Sequence, residues 1–408
     1  MRLLHVIAQT DPESGGPVEV LLRISEVMIR DGHEVTVVSL EDEEQVAARE
    51  FPFSVVGLGR GTRRYSYNSR LTSWLKSNAS AFDAIILHGL WNYSSFGSWR
   101  ALKRSSTPYY IFSHGMMDPW FRDAYPLKHF AKQVFWTMAE GRVLQDARAV
   151  LFTCEEERER AKGVFKGHAY KERVVLFGTA DPGVNAIEQK KQEASFHEAF
   201  PQLRERKFLL FLSRIHPKKG CDLLIQAFAE LLPSLPCDLD LMIAGPDQVG
   251  WVPQLQELCQ KLGISERVHW PGMLKGDVKW GAFRRAEALT LTSHQENFGI
   301  VVAEAMACST PVLISDKVNI WREVKASGAG LVGPDTLEGA REVIRDFISL
   351  SAAERAQMAS AARAGFLKYF DVEVTAYDFA RTIGFEQQKH SATRVAEVTD
   401  TPLRASSK

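Results

Sequence analysis

Short apolar runs alternate with stretches of helical periodicity over most of the chain. Val20, Leu21, Ile24, Val27 and Met28, for example, share one face of a single predicted helix. The apolar runs predict strands at 2–8, 34–40, 53–58, 84–88, 109–113, 148–153 and 173–177, and then at 207–214, 239–244, 267–270, 288–292, 311–315 and 329–332. Strands and helices in alternation indicate parallel sheets that helices cover on both faces, so the predicted fold class is α/β.

A polar stretch at 181–206 separates the two series of predicted strands. Each half has the size of one doubly wound domain. We therefore predict two Rossmann-like domains that face each other across a cleft, with bounds 1–183 and 184–370. A helix over 371–387 is expected to pack back on the N-terminal domain, and the polar residues 388–408 are expected to form a disordered tail.

Composition and charge disfavour several classes of protein and several kinds of site. The 408 residues include 50 Lys and Arg and 50 Asp and Glu, and this neutral balance disfavours a nucleic-acid-binding protein. The five cysteines contain no C-x-x-C pair, and the histidines show no metal-ligand spacing, so we predict neither a disulfide framework nor a metal site. No run reaches the roughly 20 apolar residues that span a bilayer. We expect a cytoplasmic protein.

The loop after the first strand carries the first candidate site. Gly15 and Gly16 precede a helix, where small residues let the backbone approach a ligand and helix amides favour a phosphate. The alternative is an ordinary loop with Pro17 at the first helical position.

A second candidate site follows the first strand of the second half. Arg214 and Lys219 stand at the carboxyl end of a strand, where doubly wound domains bind ligands. An arginine fork and a mobile lysine charge together suit a diphosphate. A solvated basic loop is the alternative.

A third candidate site lies between 293 and 305. Glu296 is in a loop, Gly299 opens a helix whose free amides can meet phosphate, and Glu304 lies about one turn into that helix. Carboxylates beside a phosphate site are expected to accept hydrogen bonds from hydroxyl groups of a sugar or a ribose. The alternative for Glu304 is a capping or pairing role.

A glycine-rich segment at 56–61 resembles a dinucleotide fingerprint only in part. Its third glycine comes too early, no helix follows, and no acidic residue stands about 20 positions on. We therefore do not expect a nicotinamide site.

Arg214 with Lys219, followed by Glu296 and by Glu304 eight residues later, resembles the retaining glycosyltransferases of family 4, which have the GT-B fold. The resemblance extends over about residues 1–385. It implies a metal-independent enzyme without a cofactor that moves a sugar from a nucleoside diphosphate sugar. Arg214 and Lys219 would hold the diphosphate, Glu296 would bind hydroxyls of the transferred sugar, and Glu304 would accept from the ribose.

The resemblance implies further roles around the cleft. Gly15 and Gly16 would lie against the donor phosphates, and the amides of Phe298 and Gly299 would lie near the donor. His114 would reach across the cleft to the sugar and act as a catalytic residue. The segment that contains His114 resembles one in members that build bacterial polysaccharides, such as exopolysaccharide and lipopolysaccharide. The expected acceptor is therefore a glycan or a lipid-diphosphate-linked glycan.

The sequence departs from the family's pattern at two places that bear on backbone geometry. Asn297 stands where the family often has glycine, and Phe177-Gly178-Thr179 stands where it usually has a Pro-Asn-Gly turn. The second departure bears on the hinge between the domains. A nucleotide-sugar-binding protein or an epimerase on the same fold, without glycosyl transfer, is the alternative function.

The region between residues 56 and 143 is basic inside a neutral chain. It holds 12 Lys and Arg against four acids, Asp83, Asp118, Asp123 and Glu140. Part of the region's aromatic residues are interleaved with these charges: Trp91, Tyr93, Phe96, Trp99, Trp120, Phe121, Tyr125, Phe130 and Trp136. Basic and aromatic residues together are typical of a membrane interface, so we expect docking on anionic lipid of the cytoplasmic membrane face. The alternative is a solvated basic face.

Overall fold

The computed structural model describes residues 1–11, 16–62, 65–183 and 185–385. Gly15 and the predicted tail at 388–408 lie outside the described residues, as do the last two residues of the predicted helix at 371–387.

Seven parallel strands form the sheet of the N-terminal half. They are β1 (Arg2–Ile7), β2 (Glu34–Ser39), β3 (Ser54–Gly57), β4 (Ala84–His88), β5 (Tyr109–Phe112), β6 (Ala149–Phe152) and β7 (Glu172–Val174). The order across the sheet is β3-β2-β1-β4-β5-β6-β7. Every residue of β4, β5 and β6 is buried, as a sheet covered on both faces requires.

Eight helices accompany this sheet in the described residues. They are α1 (Gly16–Arg30), α2 (Glu43–Ala47), α3 (Ser69–Asn78), α4 (Tyr93–Leu102), α5 (Trp120–Ala124), α6 (Pro126–Phe135), α7 (Gly141–Asp146) and α8 (Glu155–Ala161). A π-helical turn at Trp136–Glu140 joins α6 to α7.

Six parallel strands form the second sheet. They are β8 (Lys207–Leu212), β9 (Leu239–Ala244), β10 (Val268–Gly272), β11 (Ala288–Leu291), β12 (Val312–Ser315) and β13 (Gly330–Gly333), in the order β10-β9-β8-β11-β12-β13. In both sheets the strand order reverses beside the first strand, next to β4 and next to β11. Ligands of doubly wound domains bind at this reversal, outside the carboxyl ends of the strands.

The C-terminal half contains nine helices in the described residues. They are α9 (Ala186–Ala199), α10 (Cys221–Leu231), α11 (Val252–Lys261), α12 (Gly276–Arg285), α13 (Ile300–Ala307), α14 (Trp321–Ser327), α15 (Leu337–Ser349), α16 (Ala352–Tyr369) and α17 (Val372–Thr382). Ser351 and Glu354 form a reciprocal capping box at the start of α16.

Helix α17 lies on the N-terminal half. Val372 and Ala376 pack with Val27 of α1, and Arg30 forms an ion pair with Glu373. The last described helix therefore connects back across the cleft.

The strand predictions are confirmed in number and in place. Strand ends agree with the prediction to within two residues except at β7, which ends at Val174 rather than at residue 177. The prediction that the nine aromatic residues belong to a membrane interface is wrong in part. Tyr93, Trp99 and Trp136 are 3%, 9% and 1% exposed. They lie in the hydrophobic core with buried residues of β4, β5 and β6, because the helix faces that cover a buried sheet must be apolar.

None of the described helices combines the length and the apolar character needed to cross a membrane.

Candidate active site

Two loops of the C-terminal domain meet where β8 and β11 lie side by side. Arg214 and Lys219 follow β8, and Glu296 follows β11. The ammonium group of Lys219 forms an ion pair with the carboxylate of Glu296. Only 6% of Lys219 is exposed, so this pair is partly shielded from water. The structure thus brings two of the predicted site residues into direct contact.

The tight turn before α10 positions Lys219. Pro217–Lys219 form a single 3₁₀ turn, and the ring of His216 accepts a hydrogen bond from the backbone of Lys218 at 3.1 Å. Gly220 then adopts a φ of 64°, and a Cβ atom there would lie 2.1 Å from the carbonyl oxygen of Thr292. Glycine is required at this position because the turn presses against the chain that leaves β11.

The Glu296 loop is fixed by the neighbouring loop after β12. The amide of Glu296 donates to the carbonyl of Lys317 at 3.0 Å, and the amide of Asn319 donates to the carbonyl of Glu296 at 3.1 Å. Both backbone groups of Glu296 are therefore satisfied, and its side chain is presented to Lys219 from a fixed backbone.

Positive charge is concentrated beside this pair. Arg214 is exposed and forms no hydrogen bond or ion pair within the part of the chain that the structure describes. Burial lowers the pKa of Lys218, and the charges of Lys219 and Arg214 lower it further. Of these three cations, only Lys219 forms an ion pair within the described residues, so the site favours an anionic ligand.

Glu304 forms a second charged pair deeper in the domain. Its Oε1 accepts a hydrogen bond from Nζ of Lys279 at 2.6 Å, while its Oε2 is buried without a partner in the part of the chain that the structure describes. Burial raises the pKa of Glu304, and the charge and hydrogen bond of Lys279 act in the opposite direction. The charges of Glu19 and Arg23 on α1 also act on this group, so the N-terminal domain faces it. A hydroxyl group could satisfy the free oxygen.

Gly299 begins α13, as predicted from the sequence. It is the N-cap residue of Ile300–Ala307 and has a φ of 78°, in the left-handed region that favours glycine. Phe298 is only 5% exposed, and its ring lies 5.6 Å from that of Phe177 and 5.7 Å from that of Phe370. The Phe298 side chain therefore belongs to the packing between the domains, and only its backbone is available to a ligand.

The His114 turn of the N-terminal domain lies opposite the Glu296 loop. His114 has a φ of 49°, and a Cβ atom on the next residue, Gly115, would lie 2.6 Å from the side chain of Asn297. Asn297 also donates to the hydroxyl of Thr153 at 3.3 Å. Asn297, the departure from the family's glycine, is thus a contact between the two domains at the base of the cleft.

A buried carboxylate holds the His114 turn in place. Glu157 accepts hydrogen bonds from the hydroxyl of Ser113 at 2.6 Å and from the amide of Gly115 at 2.6 Å. It also accepts from the amide and hydroxyl of Thr153 at 2.7 and 2.6 Å. The four donors fix both the turn and the residue that Asn297 contacts.

The donor loop of the N-terminal domain is described only from Gly16, which is exposed at the first position of α1. Gly15 lies outside the described residues.

The chain crosses between the domains at the second predicted departure. The amide of Thr179 donates to the carbonyl of Phe370 at 2.9 Å, and the amide of Val372 donates to the carbonyl of Thr179 at 3.2 Å. A Cβ atom on Gly178 would lie 2.3 Å from the hydroxyl of Thr375. Phe177-Gly178-Thr179 therefore replaces the usual turn with a close backbone contact to the start of α17.

A second contact between the domains lies at the mouth of the cleft. Nζ of Lys218 lies 4.0 Å from the ring centre of Trp120 and 4.9 Å from that of Phe121. On the N-terminal side, Nζ of Lys132 lies 4.6 Å from the ring centre of Trp91. Neither lysine forms an ion pair with a carboxylate of the described residues, so cation–π contacts hold them.

Sequence reasoning missed Lys279 and Glu157. Lys279 lies on a helix 25 residues before its partner, and no spacing rule connects them. Glu157 stands in an acidic run at the start of α8, which is typical of a helix N-terminus in general. Among the described residues, no three or more His, Cys, Asp and Glu side chains are grouped so as to hold a metal ion.

Comparisons with known proteins divide the chain in the same way. The family described as "Glycosyl transferase 4-like domain" matches residues 15–178, and the family described as "Glycosyl transferases group 1" matches residues 192–365. A curated relative, the D-inositol 3-phosphate glycosyltransferase of Salinispora tropica, is 32% identical over 170 residues. That alignment spans 40% of this chain and 35% of the relative, so the chain covers about a third of the relative's length.

Solved structures extend the likeness to almost the whole chain. The Anabaena protein Alr3699/HepE in complex with UDP and glucose has a TM-score of 0.72 and 18% identity, and the match covers 94% of this chain and 99% of that chain. WaaG, a glycosyltransferase involved in lipopolysaccharide biosynthesis, has a TM-score of 0.67 and 17% identity, with 94% and 100% coverage. At these identities the likeness concerns the fold. The chain is therefore a protein of the GT-B fold that joins a glycosyl transferase 4-like domain to a group 1 glycosyl transferase domain.

Proposed function

We propose that this chain transfers a sugar from a nucleoside diphosphate sugar to a hydroxyl group of an acceptor, with retention of the anomeric configuration. The observation that carries this proposal is the cation cluster at the carboxyl end of β8, where Lys219 is paired with Glu296 and Arg214 has no partner among the described residues. Both domain families that the chain matches are described as glycosyl transferases.

The charges fit the departure of a diphosphate. When the bond between the anomeric carbon and the diphosphate oxygen breaks, negative charge grows on the leaving group and positive charge grows on the sugar. Arg214, Lys219 and the free amides at the start of α13 stabilise the leaving group. The acceptor oxygen then bonds to the same face of the anomeric carbon, and a phosphate oxygen of the leaving group takes the acceptor's proton.

The two glutamates take different parts of the donor. Glu296 is placed by its pair with Lys219 next to the diphosphate, and it accepts hydrogen bonds from the transferred sugar. Glu304 accepts from the ribose through its unpartnered Oε2, while Lys279 holds its other oxygen. Because the protein cations neutralise the diphosphate, we propose that the reaction needs no metal ion and no cofactor.

The test is release of the nucleoside diphosphate from a panel of nucleotide sugars, UDP-glucose first, with and without candidate glycan acceptors. Release that rises only with an acceptor, together with a glycosylated product, supports transfer. Epimerised sugar without transfer would favour the alternative enzyme, and binding without turnover would favour a nucleotide-sugar-binding protein. Arg345→Ala is the matched control for Arg214→Ala, because Arg345 is an exposed arginine of α15 outside the site.

The acceptor side is proposed from the surface of α6. Leu127, Phe130, Val134 and Met138 are 86%, 70%, 43% and 62% exposed. Their spacing of three, four and four residues places them on one face of a continuous helical stretch. Large side chains so exposed along one face mark an interaction surface.

We infer that this face enters an anionic lipid surface. It lies within the basic region from 56 to 143, and Lys128 and Lys132 alternate with its apolar positions along the chain. Apolar side chains with flanking lysines are the pattern of a helix that lies in a membrane interface. A lipid-diphosphate-linked acceptor of a polysaccharide or lipopolysaccharide pathway would be presented from that surface to the cleft, beside the cations Lys132 and Lys218.

Liposome co-sedimentation tests this surface. Binding should require anionic lipid, should fall with added salt, and should weaken when Arg63, Arg64, Lys128 and Lys132 are changed to serine. Leu127→Ser with Phe130→Ser should also weaken it. Ile187→Ser, at an apolar residue of α9 that is 83% exposed, should not. Equal and negligible sedimentation with neutral and anionic liposomes would refute membrane docking and leave an acceptor in solution.

A further inference from the structure

Three histidines on neighbouring strands form a hydrogen-bonded row that ends at the cleft. His5 lies on β1, His88 is the last residue of β4, and His114 follows β5. Nδ1 of His5 lies 2.9 Å from Nε2 of His88, and Nδ1 of His88 lies 3.0 Å from Nε2 of His114. The row runs along the side of the sheet on which Phe379 of α17 packs.

The three rings lie edge to edge. Neighbouring ring centres are 5.2 and 5.3 Å apart, and the ring planes differ by 28° and 15°. Each centre-to-centre distance exceeds the nitrogen–nitrogen distance by about two ring radii, as in-plane hydrogen bonds require. Each contact must therefore hold one proton between two nitrogens.

The row is neutral. His5 and His88 are 2% and 3% exposed, and the rings of Phe112 and Phe177 flank His114. Burial lowers the pKa of His5 and of His114 to about 3, and it also lowers that of His88 well below its usual range. No carboxylate of the described residues bonds to any of these rings, so no acid stabilises an imidazolium there.

Counting protons leaves two arrangements. Three neutral imidazoles carry three N–H groups, of which two occupy the two contacts. The third lies at one end of the row, on Nε2 of His5 or on Nδ1 of His114. Nε2 of His5 is buried and has no partner, whereas His114 is partly exposed and its Nδ1 has no partner within the described residues.

We propose that the third proton lies on Nδ1 of His114, so that His5 and His88 are positioning residues that make His114 a hydrogen-bond donor to the cleft. The opposite arrangement would bury an N–H group of His5 without an acceptor, and orphaned buried N–H groups are rare in proteins. In the proposed arrangement all three rings carry their proton on Nδ1. Free histidine prefers the proton on Nε2, so the proposed protonation of Nδ1 differs from the tautomer that an unconstrained ring would adopt.

The assignment limits what His114 can do. A neutral ring whose only outward nitrogen carries a proton donates to an oxygen, such as a sugar hydroxyl or a phosphate oxygen, and it cannot take a proton from an acceptor alcohol. This consequence rests on the proposed glycosyl transfer, whereas the position of the proton does not. Within that reaction, the row makes His114 a donor to the transferred sugar and leaves the acceptor's proton to the diphosphate.

The direct test is the nitrogen-15 NMR spectrum of the full chain labelled at histidine, near neutral pH and without substrate. The three signals are assigned from their loss in His5→Phe, His88→Phe and His114→Phe variants. We expect protonated Nδ1 and unprotonated Nε2 in all three rings. Protonated Nε2 in these rings, or titration of any of them near pH 6, would overturn the proposal. Because no turnover is measured, this result stands apart from that of the nucleotide-sugar panel.

Variants of His88 separate positioning from packing. His88→Phe keeps the ring volume but frees Nε2 of His114, so the His114 signal should shift toward the Nε2–H form and transfer should fall about fivefold, as loss of one hydrogen bond predicts. His88→Asn can still donate from its amide to His114 and should retain the Nδ1–H form and most of the rate. The control His197→Phe, on α9, should change neither. An unchanged His114 signal in His88→Phe would contradict the positioning role.

Discussion

The two walls of the cleft use polar groups in different ways. The C-terminal wall carries charges that are only partly compensated: Arg214 has no partner in the described residues, and Glu304 has one unpartnered oxygen. The N-terminal wall carries no such excess charge, since Glu157 is satisfied by four hydrogen bonds and His114 ends a neutral row with one nitrogen left for the cleft. Charge in excess suits a diphosphate, and fixed neutral donors suit a sugar. The comparison predicts that substitutions on the C-terminal wall affect the nucleotide. Substitutions on the N-terminal wall should affect the geometry of the His114 turn.

The largest effect is expected at the cations. Arg214→Ala or Lys219→Ala removes one stabiliser of the leaving diphosphate, and each should lower the rate of transfer by about a hundredfold. Arg345→Ala should have no effect. Rates equal to wild type in both variants would remove the assignment of this wall to the diphosphate.

On the opposite wall, Glu157→Gln should destabilise the protein by about 2 kcal/mol, because an amide places N–H groups against N–H and O–H donors. Denaturant unfolding followed by tryptophan fluorescence measures this. Glu155→Gln, two residues earlier and exposed to water at its pair with Arg158, is the control and should have little effect. A stable Glu157→Gln variant would show that the His114 turn does not depend on this carboxylate.

The N-terminal domain should also show a pH dependence. Burial raises the pKa of Glu140 to about 7, and its usual value is 4.5. The folded state therefore binds a proton that the unfolded state has lost, so the free energy of unfolding should fall as pH rises from about 4.5 to about 7. Glu140→Gln should remove that fall, which is about 3 kcal/mol. Unfolding curves at pH 5 and pH 8 test it, and an identical pH dependence in the variant contradicts it.

Substitutions of Glu304 and Glu296 should have smaller effects that differ in kind. Glu304→Ala should weaken nucleotide affinity by about tenfold, because a ribose hydroxyl loses its acceptor. Glu296→Ala should mainly impair transfer, since its partner Lys219 and the sugar are both affected. Calorimetric titration with the nucleoside diphosphate, beside the rate of transfer, distinguishes the two. The distinction fails if both variants change only affinity.

No effect is expected from chelation. If the protein cations neutralise the diphosphate, EDTA should leave transfer largely intact. Complete loss of activity that magnesium or manganese restores would contradict the mechanism.

The strands and the meeting of Lys219 with Glu296 were predictable for one physical reason. Strands buried on both faces are apolar runs bounded by polar turns, and parallel strands bring their carboxyl ends to one edge. Residues that follow β8 and β11 therefore meet, although 77 positions separate them in the chain.

The other contacts of the site depend on how helices and turns are rotated against their neighbours, and a sequence does not show these rotations. Lys279 reaches Glu304 because of how α12 lies against α13, and Trp136 is buried because a π-helical turn directs it inward. Its neighbour Met138, 62% exposed, was not singled out from the sequence. The proposed boundary between residues 183 and 184 and the roles of the site residues stay predictions.

The most direct measurement is a crystal structure of the full chain with the nucleoside diphosphate that the panel releases. The account predicts the diphosphate within hydrogen-bond distance of Arg214, Lys219 and the amides at the start of α13, with the ribose at Glu304. A nucleotide bound at any other place, with these residues free, would contradict it.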